Sequence, residues 1–239
     1  MPEEIPLLPS IKTTAVDYVA AGARSLAGVV PFAGTFLGEV MTSIIPNQRT
    51  ERIAQFASLL QARIEHLEEQ SLRTELKDEE FTDLVEEALR QAARSTTQER
   101  REYLAAAIAN SLTREAIQHS ETKHLLRIMG ELSDIEIIWL RFFQNPVIEG
   151  DHEFRQKHAN VLKRVTVYIG SPEDDVDRAA LQESYKKHLV DLGLVTPVIS
   201  RQPGGNPEFD QFTGNFKVSY SHTSSLGNLL LRTIDFSRQ

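Results

Sequence analysis

Residues 189–199 read LVDLGLVTPVI, and this stretch decides how the second half of the chain folds. Upstream of it, 177–192 has a helical period, with Leu181, Tyr185, Leu189 and Leu192 expected to face inward. Gly193 is placed to end that helix in the left-handed conformation. Residues 194–200 (LVTPVIS) then read as a strand, and Pro197 suits an edge. A loop follows over 201–211, marked by Pro203-Gly204-Gly205-Asn206-Pro207. Residues 212–220 alternate as a second strand that carries Phe216, Val218 and Tyr220 on one face. Thr223 is the expected cap of a last helix containing Leu226, Leu229, Leu230 and Ile234.

Working back towards the N-terminus, Ser133 and Glu136 have capping-box spacing. The helix they open (Ile135, Ile137, Ile138, Trp139, Leu140, Phe142, Phe143) is apolar nearly all round, as expected of an enclosed helix joining two parts of the molecule. Beyond Asn145-Pro146 the texture turns polar, with one helix expected over 153–167. The order over 133–235 resembles a winged helix, a helix-turn-helix variant with a two-stranded wing. That resemblance makes 177–193 the candidate recognition helix, with Arg178, Gln182, Lys186 and Lys187 as its groove-facing side chains. Residues 133–239 hold 12 Lys+Arg against 14 Asp+Glu, a net of −2. DNA-binding domains present a net basic surface, so protein contact is favoured over DNA readout.

The first half reads as helices throughout. Ile53, Phe56, Leu60, Ile64 and Leu67 form one face after Asn47; Phe81, Leu84, Val85, Ala88, Leu89 and Ala92 form another. Ser95-Thr96-Thr97 interrupts, and an Ala-rich helix follows with Leu104, Ala107, Ile108, Ser111 and Leu112 on one side. A helix restarting at Ser120-Glu121 carries Leu125, Leu126, Ile128, Met129 and Leu132. The fold expected is mostly α: a flexible N-terminus at 1–10, a helical bundle at 11–132 with a Gly/Ala-rich hairpin at 11–46, and a winged-helix-like α+β part at 133–239.

Within the hairpin, 25–38 (SLAGVVPFAGTFLG) carries no charge over 14 residues. A spanning helix needs about 20 apolar residues, and Pro31 interrupts this run. Leu26, Val29, Val30, Pro31, Phe32, Phe36 and Leu37 are therefore read in two ways. They form an assembly hairpin inside a bundle, or a membrane-active hairpin released on a trigger. Residues 1–10 include Glu3 and Glu4 and lack the basic start of a signal peptide, so a cytoplasmic protein is expected.

The 239 residues include no cysteine, which excludes disulfides, thiolate metal sites and thiol nucleophiles. A net charge of −8 argues against bulk affinity for nucleic acid or anionic lipid. The seven histidines offer no zinc spacing: His119 and His124 are five apart, His152 and His158 six, and His66, His188 and His222 stand alone as surface or capping residues. Ser184 to Lys187 matches SxxK, but the partner motifs SDN and KTG are absent. Glu173, Asp174, Asp175 and Asp177 are better placed to favour a helix N-terminus than to bind calcium. No cofactor, metal or small-molecule substrate is indicated, and no catalysis.

Two stretches add a family resemblance. Residues 29–56 (VVPFAGTFLGEVMTSIIPNQRTERIAQF) and 81–113 (FTDLVEEALRQAARSTTQERREYLAAAIANSLT), with the winged-helix tail, resemble the Abi-alpha group of abortive-infection proteins. Pro46, Asn47, Gln48 and Arg49 are the most distinctive positions. The resemblance implies a bacterial phage-defence context and non-enzymatic action; a protein partner or homo-oligomer is expected beside it. A winged-helix DNA-binding regulator and a pore-forming effector using the 11–46 hairpin are the alternatives.

Overall fold

Short-range capping and helical periodicity build most of this chain, and a computed structural model places the resulting elements. It describes residues 47–67, 72, 74–113, 117–146, 151–210 and 214–236. The fold is mostly α, with one two-stranded antiparallel sheet near the C-terminus. Two compact units, Met1–Lys123 and His124–Gln239, part inside a helix, upstream of the 132/133 boundary drawn from sequence.

In the first unit, α1 (Asn47–Ile64), α2 (Glu79–Arg94) and α3 (Gln98–Thr113) pack pairwise. Ile53, Phe56 and Leu60 of α1 are buried, three and four residues apart as one helical face requires. Asp78 starts α2 by accepting hydrogen bonds from the backbone N–H of Glu80 (2.7 Å) and Phe81 (3.1 Å). Phe81, Leu84, Ala88, Leu89 and Ala92 are buried, and Val85 is half-buried. Thr97 opens α3, its Oγ1 accepting from the N–H of Arg100 at 3.3 Å.

Burial on α3 is wider than one side. Ala105 and Ala106 join Leu104, Ala107, Ile108 and Ser111 in the interior, while Leu112 is half-buried. The small alanines let α1 and α2 both approach this helix closely. Arg52 is half-buried and donates to the Ala93 carbonyl (3.5 Å). Arg101 is buried and donates to the carbonyl (3.5 Å) and Oγ (3.2 Å) of Ser95. Both guanidinium groups thus meet the negative end of α2. Burial, and then the neighbouring Arg52 charge, lower the pKa of Arg101 from its usual value.

Helix α4 (His119–Glu131) starts with Gln118, whose N–H donates to Glu121 Oε2 at 2.9 Å. His119 is not a free surface residue: its Nε2 meets Glu75 Oε2 at 2.9 Å and its ring lies 5.1 Å from that of Phe81. Lys123 pairs with Asp83. Further along α4, Leu125, Leu126, Ile128 and Met129 are buried, as is Leu132 just beyond it.

The second unit opens with α5 (Asp134–Phe142), capped by the Ser133–Glu136 box. Trp139 is buried in it, and so is Arg141, which pairs with Asp151 at 2.5 Å and stacks 5.1 Å over Phe154. In place of one helix over 153–167 there are two short ones, α6 (His152–Lys157) and α7 (Ala159–Leu162). Gln182 explains the stop. Its amide donates to the Lys163 carbonyl (2.8 Å) and accepts from the Val165 N–H (3.3 Å), so this backbone bonds to a side chain instead of extending a helix. The β-branched run Val165-Thr166-Val167 favours the same outcome.

Helix α8 (Glu173–Asp191) begins four residues earlier than its period indicated, directly after Pro172. Its end is a Schellman motif: Gly193, at φ 71°, donates to the Val190 carbonyl and Leu194 to that of Leu189. Strands β1 (Val195–Ile199) and β2 (Val218–Thr223) pair from Val195↔Thr223 to Ile199↔Val218. The second strand therefore lies later than 212–220. The chain before it folds back on itself, with Lys217 N–H bonded to the Glu208 carbonyl and a bridge between Phe209 and Phe216.

Ser224, not Thr223, caps α9 (Ser225–Thr233), accepting from the Gly227 N–H at 3.0 Å. Thr223 is committed to α5 instead, donating its hydroxyl to the Leu140 carbonyl at 3.0 Å. Gly227 marks a close approach. A Cβ there would lie 2.3 Å from the Leu194 oxygen and 2.7 Å from Thr223 Cγ2.

Candidate interaction surface

Apart from the split of 153–167 into two short helices, the second unit has its helices and two-stranded sheet in the order read from the sequence, which makes α8 the helix to inspect. Residues 178, 182 and 186 are spaced by four and share one face. That face is largely spent on the unit itself. Gln182 holds the backbone of 163–165, and Lys186 places its ammonium 5.0 Å above the Trp139 ring of α5. Arg178 pairs with Asp175 (3.0 Å) and donates to the Asp174 carbonyl (3.1 Å), and Lys187 pairs with Asp191 (2.6 Å). The four candidate groove-readers thus all have intramolecular partners.

The apolar positions of α8 correct a reading. Leu181, expected to face inward, is 53% exposed, Val176 is exposed too, and Leu189 is the only buried residue of the helix. Tyr185 and Leu192 are half-buried. Next to Leu181, Gln182 bonds to backbone atoms of the segment 163–165. The chain beyond that segment makes a turn, Tyr168 to Ser171, with Gly170 at φ 95° as the third position of a type II turn requires. The Ser171 N–H donates to the Tyr168 carbonyl (3.0 Å), and Ser171 Oγ accepts from the Tyr168 N–H (2.9 Å). This doubly tied turn presents Tyr168 and a fully exposed Ile169.

Among the described residues of the unit, the one buried carboxylate joins α5 to α8. Glu136 accepts from the N–H (2.7 Å) and hydroxyl (2.8 Å) of Ser133 with one oxygen, and meets His188 Nδ1 at 2.6 Å with the other. Burial pushes this carboxyl up, but the bonds from the Ser133 backbone, His188 and the Ser133 hydroxyl outweigh it and hold it below the usual range. The sequence left His188 alone because Glu136 is 52 positions away. No pattern at that separation marks the pair; only the packing of α8 on α5 creates it.

The remaining candidates fall as follows. Ser184 of the SxxK match is exposed, with Lys187 turned to Asp191. Glu173, Asp174 and Asp175 lie in the first turn of α8, where the helix dipole favours them. No group of three or more side chains able to hold a metal occurs among the described residues. Among them too, no helix is long and apolar enough to cross a membrane. Leu26, Val29, Val30, Pro31, Phe32, Phe36 and Leu37 lie outside the described residues, as does Pro46. Arg49 is exposed in the first turn of α1. No family model, curated protein or solved structure matches the chain.

Proposed function

We infer that this is a non-enzymatic, cytoplasmic bacterial protein that acts through protein contacts, as a component of abortive infection. One observation carries the contact reading. On α8 the basic and amide side chains needed to read a base edge are spent on intramolecular partners, while Val176 and Leu181 of the helix, and Tyr168 and Ile169 of the turn that precedes it, stand exposed. Exposed apolar side chains on a rigid frame are the ingredients of a protein interface. Phage defence rests on the resemblance of residues 29–56 and 81–113 to the Abi-alpha group.

The test of the defence reading is plating efficiency. A bacterial host expressing the chain should plate a panel of phages at reduced efficiency, and Ile169→Asp combined with Leu181→Asp should restore plating without lowering protein level. Equal plating with and without the chain overturns it. The second reading, a DNA-binding regulator, is favoured by the order of helices and wing. A gel-shift series at rising salt discriminates it: sequence-selective retention whose logarithm falls steeply with salt concentration replaces the contact reading with DNA readout.

A further inference from the structure

Residues 163–168 lie in neither a helix nor a strand, although Val165, Thr166, Val167, Tyr168 and Ile169 are the residue types that strands favour. One side chain holds the start of this stretch. Gln182 donates from Nε2 to the Lys163 carbonyl (2.8 Å) and accepts at Oε1 from the Val165 N–H (3.3 Å). An amide that reaches the carbonyl of one residue and the N–H two positions on stands where the backbone of a parallel strand would stand. In such an extended stretch, successive residues turn their N–H and C=O to opposite edges. Lys163 and Val165 therefore use the edge towards α8, and Arg164 and Thr166 present theirs on the other. Among the described residues, neither Arg164 nor Thr166 makes a backbone hydrogen bond. Tyr168 closes this edge, since its N–H and carbonyl are both bonded to Ser171.

The side chains beside the open edge are graded. Residues 154–172 hold Arg155, Lys157, Lys163 and Arg164 and no acidic residue, in a chain of net charge −8. Arg155 is taken by the Asn145 carbonyl (3.0 Å) and the Phe142 ring (4.6 Å). Lys163 and Arg164 are exposed and, unlike the cations of α8, have no acidic partner among the described residues. Uncharged side chains follow them: Thr166 is exposed, Val167 is 42% and Tyr168 74% exposed, and Ile169 is fully so.

We propose that this edge is a docking site for an extended acidic segment of a protein partner, added as a strand beside residues 164–168. Main-chain bonds go to Arg164 and Thr166, carboxylates to Lys163 and Arg164, and uncharged side chains to Val167, Tyr168 and Ile169. The proposal rests on the contact reading and gives its partner a chemistry. Backbone and charge together select that occupant. Phosphates of a nucleic acid would suit the two cations, but they accept only and leave the carbonyls of Arg164 and Thr166 without donors, and Glu173, Asp174 and Asp177 follow closely in the chain. A second copy fits worse. Parallel pairing in register sets Lys163 and Arg164 against themselves, and antiparallel pairing about Thr166 sets them against Ile169 and Tyr168, with no charge to meet theirs. The open edge is short, so binding is weak.

Fluorescence anisotropy on the full chain tests this. The probes are labelled peptides of about eight residues, a threonine–valine repeat with a pair of glutamates at its N-terminal or its C-terminal end. At least one should bind below about 1 mM protein, and its counterpart with lysines should bind at least about tenfold more weakly. Lys163→Glu combined with Arg164→Glu should reverse that preference. Thr166→Pro removes an edge N–H and keeps both cations, and should weaken binding at least about tenfold. Far-UV circular dichroism checks that each variant keeps its fold. Hydrogen exchange needs no variant: bound peptide should slow exchange at the Thr166 amide. No binding by either glutamate peptide, equal binding of the lysine counterparts, or an unchanged Thr166 exchange rate overturns the proposal. So does a thymidine oligonucleotide retained without peptide binding and lost in the double variant, since the occupant is then nucleic acid. Dimerisation in sedimentation velocity that is lost in Thr166→Pro also overturns it, in favour of a second copy. Phage plating is scored separately: protection without peptide binding overturns the docking proposal alone, and peptide binding without protection overturns the defence reading alone.

Discussion

Helices α3 and α8 are the two extremes of this protein. Over its 16 residues α3 buries Arg101, Leu104, Ala105, Ala106, Ala107, Ile108 and Ser111; over 19 residues α8 buries Leu189 alone. The first is stabilised by packing along its length, the second by attachments at a few points: Gln182, His188, Leu189 and the turn at Gly193. The difference teaches how each half uses its surface. A helix enclosed by α1 and α2 has little left to offer a partner, whereas a helix pinned at intervals leaves Val176 and Leu181 exposed.

The largest break is expected where the exit of α8 meets α9. Gly227→Ala puts a methyl 2.3 Å from the Leu194 oxygen, which also accepts from the Ser224 N–H. A backbone oxygen cannot retreat as a flexible side chain can. Urea unfolding should therefore show a loss of about 3 kcal/mol or more. A loss below about 1 kcal/mol would mean that α9 shifts freely on the exit of α8.

Next comes packing. Leu104→Ala, in the enclosed helix, should cost about 3 kcal/mol through lost burial and the cavity left behind, read from the same kind of titration. Leu181→Ala, in the pinned helix, should lie within about 0.5 kcal/mol of the wild type. Equal costs at the two positions would erase the contrast between the helices.

Acid probes one attachment by itself. Glu136 is held below its ordinary carboxyl range in the folded state, so it binds fewer protons there than in the unfolded chain. Its contribution is complete above the unfolded value of about 4.3 and is lost as pH falls through the lower folded value. Stability measured from pH 6 down to pH 3 should drop, and Glu136→Gln should flatten that drop while lowering stability near neutral pH by about 2 kcal/mol. An unchanged acid slope in the variant would assign the drop to other carboxylates.

The smallest effect belongs to Gly193→Ala, which forces a side chain into a left-handed residue at φ 71° with open space around it. About 1 kcal/mol is expected, visible as a lower unfolding midpoint with an unchanged slope.

Much of this was legible locally. The faces of α1 and α2, the Ser133–Glu136 box and the left-handed Gly193 each depend on residues within a few positions of one another. Where local rules competed, the sequence misled. The segment 153–167 has a helical look, yet Gln182 captures its backbone; Thr223 looks like a cap, yet its hydroxyl goes to Leu140 and Ser224 takes the role. Leu181 fits the inward period of its helix, but nothing lies there to cover it.

By itself, then, the sequence determined which segments are helical and where most of them start and stop; the single face expected of Phe216, Val218 and Tyr220 is broken by the irregular pairing, in which Tyr220 lies opposite Val198 and Val218 opposite Ile199. Helical segments and their ends follow from backbone geometry and nearest-neighbour hydrogen bonds. Only tertiary structure decided the break in register between the two strands, the joining of Glu136 to His188, and the need for glycine at 227. Each depends on groups tens of residues apart brought within a few ångströms, and periodicity along one segment carries no record of what packs against it.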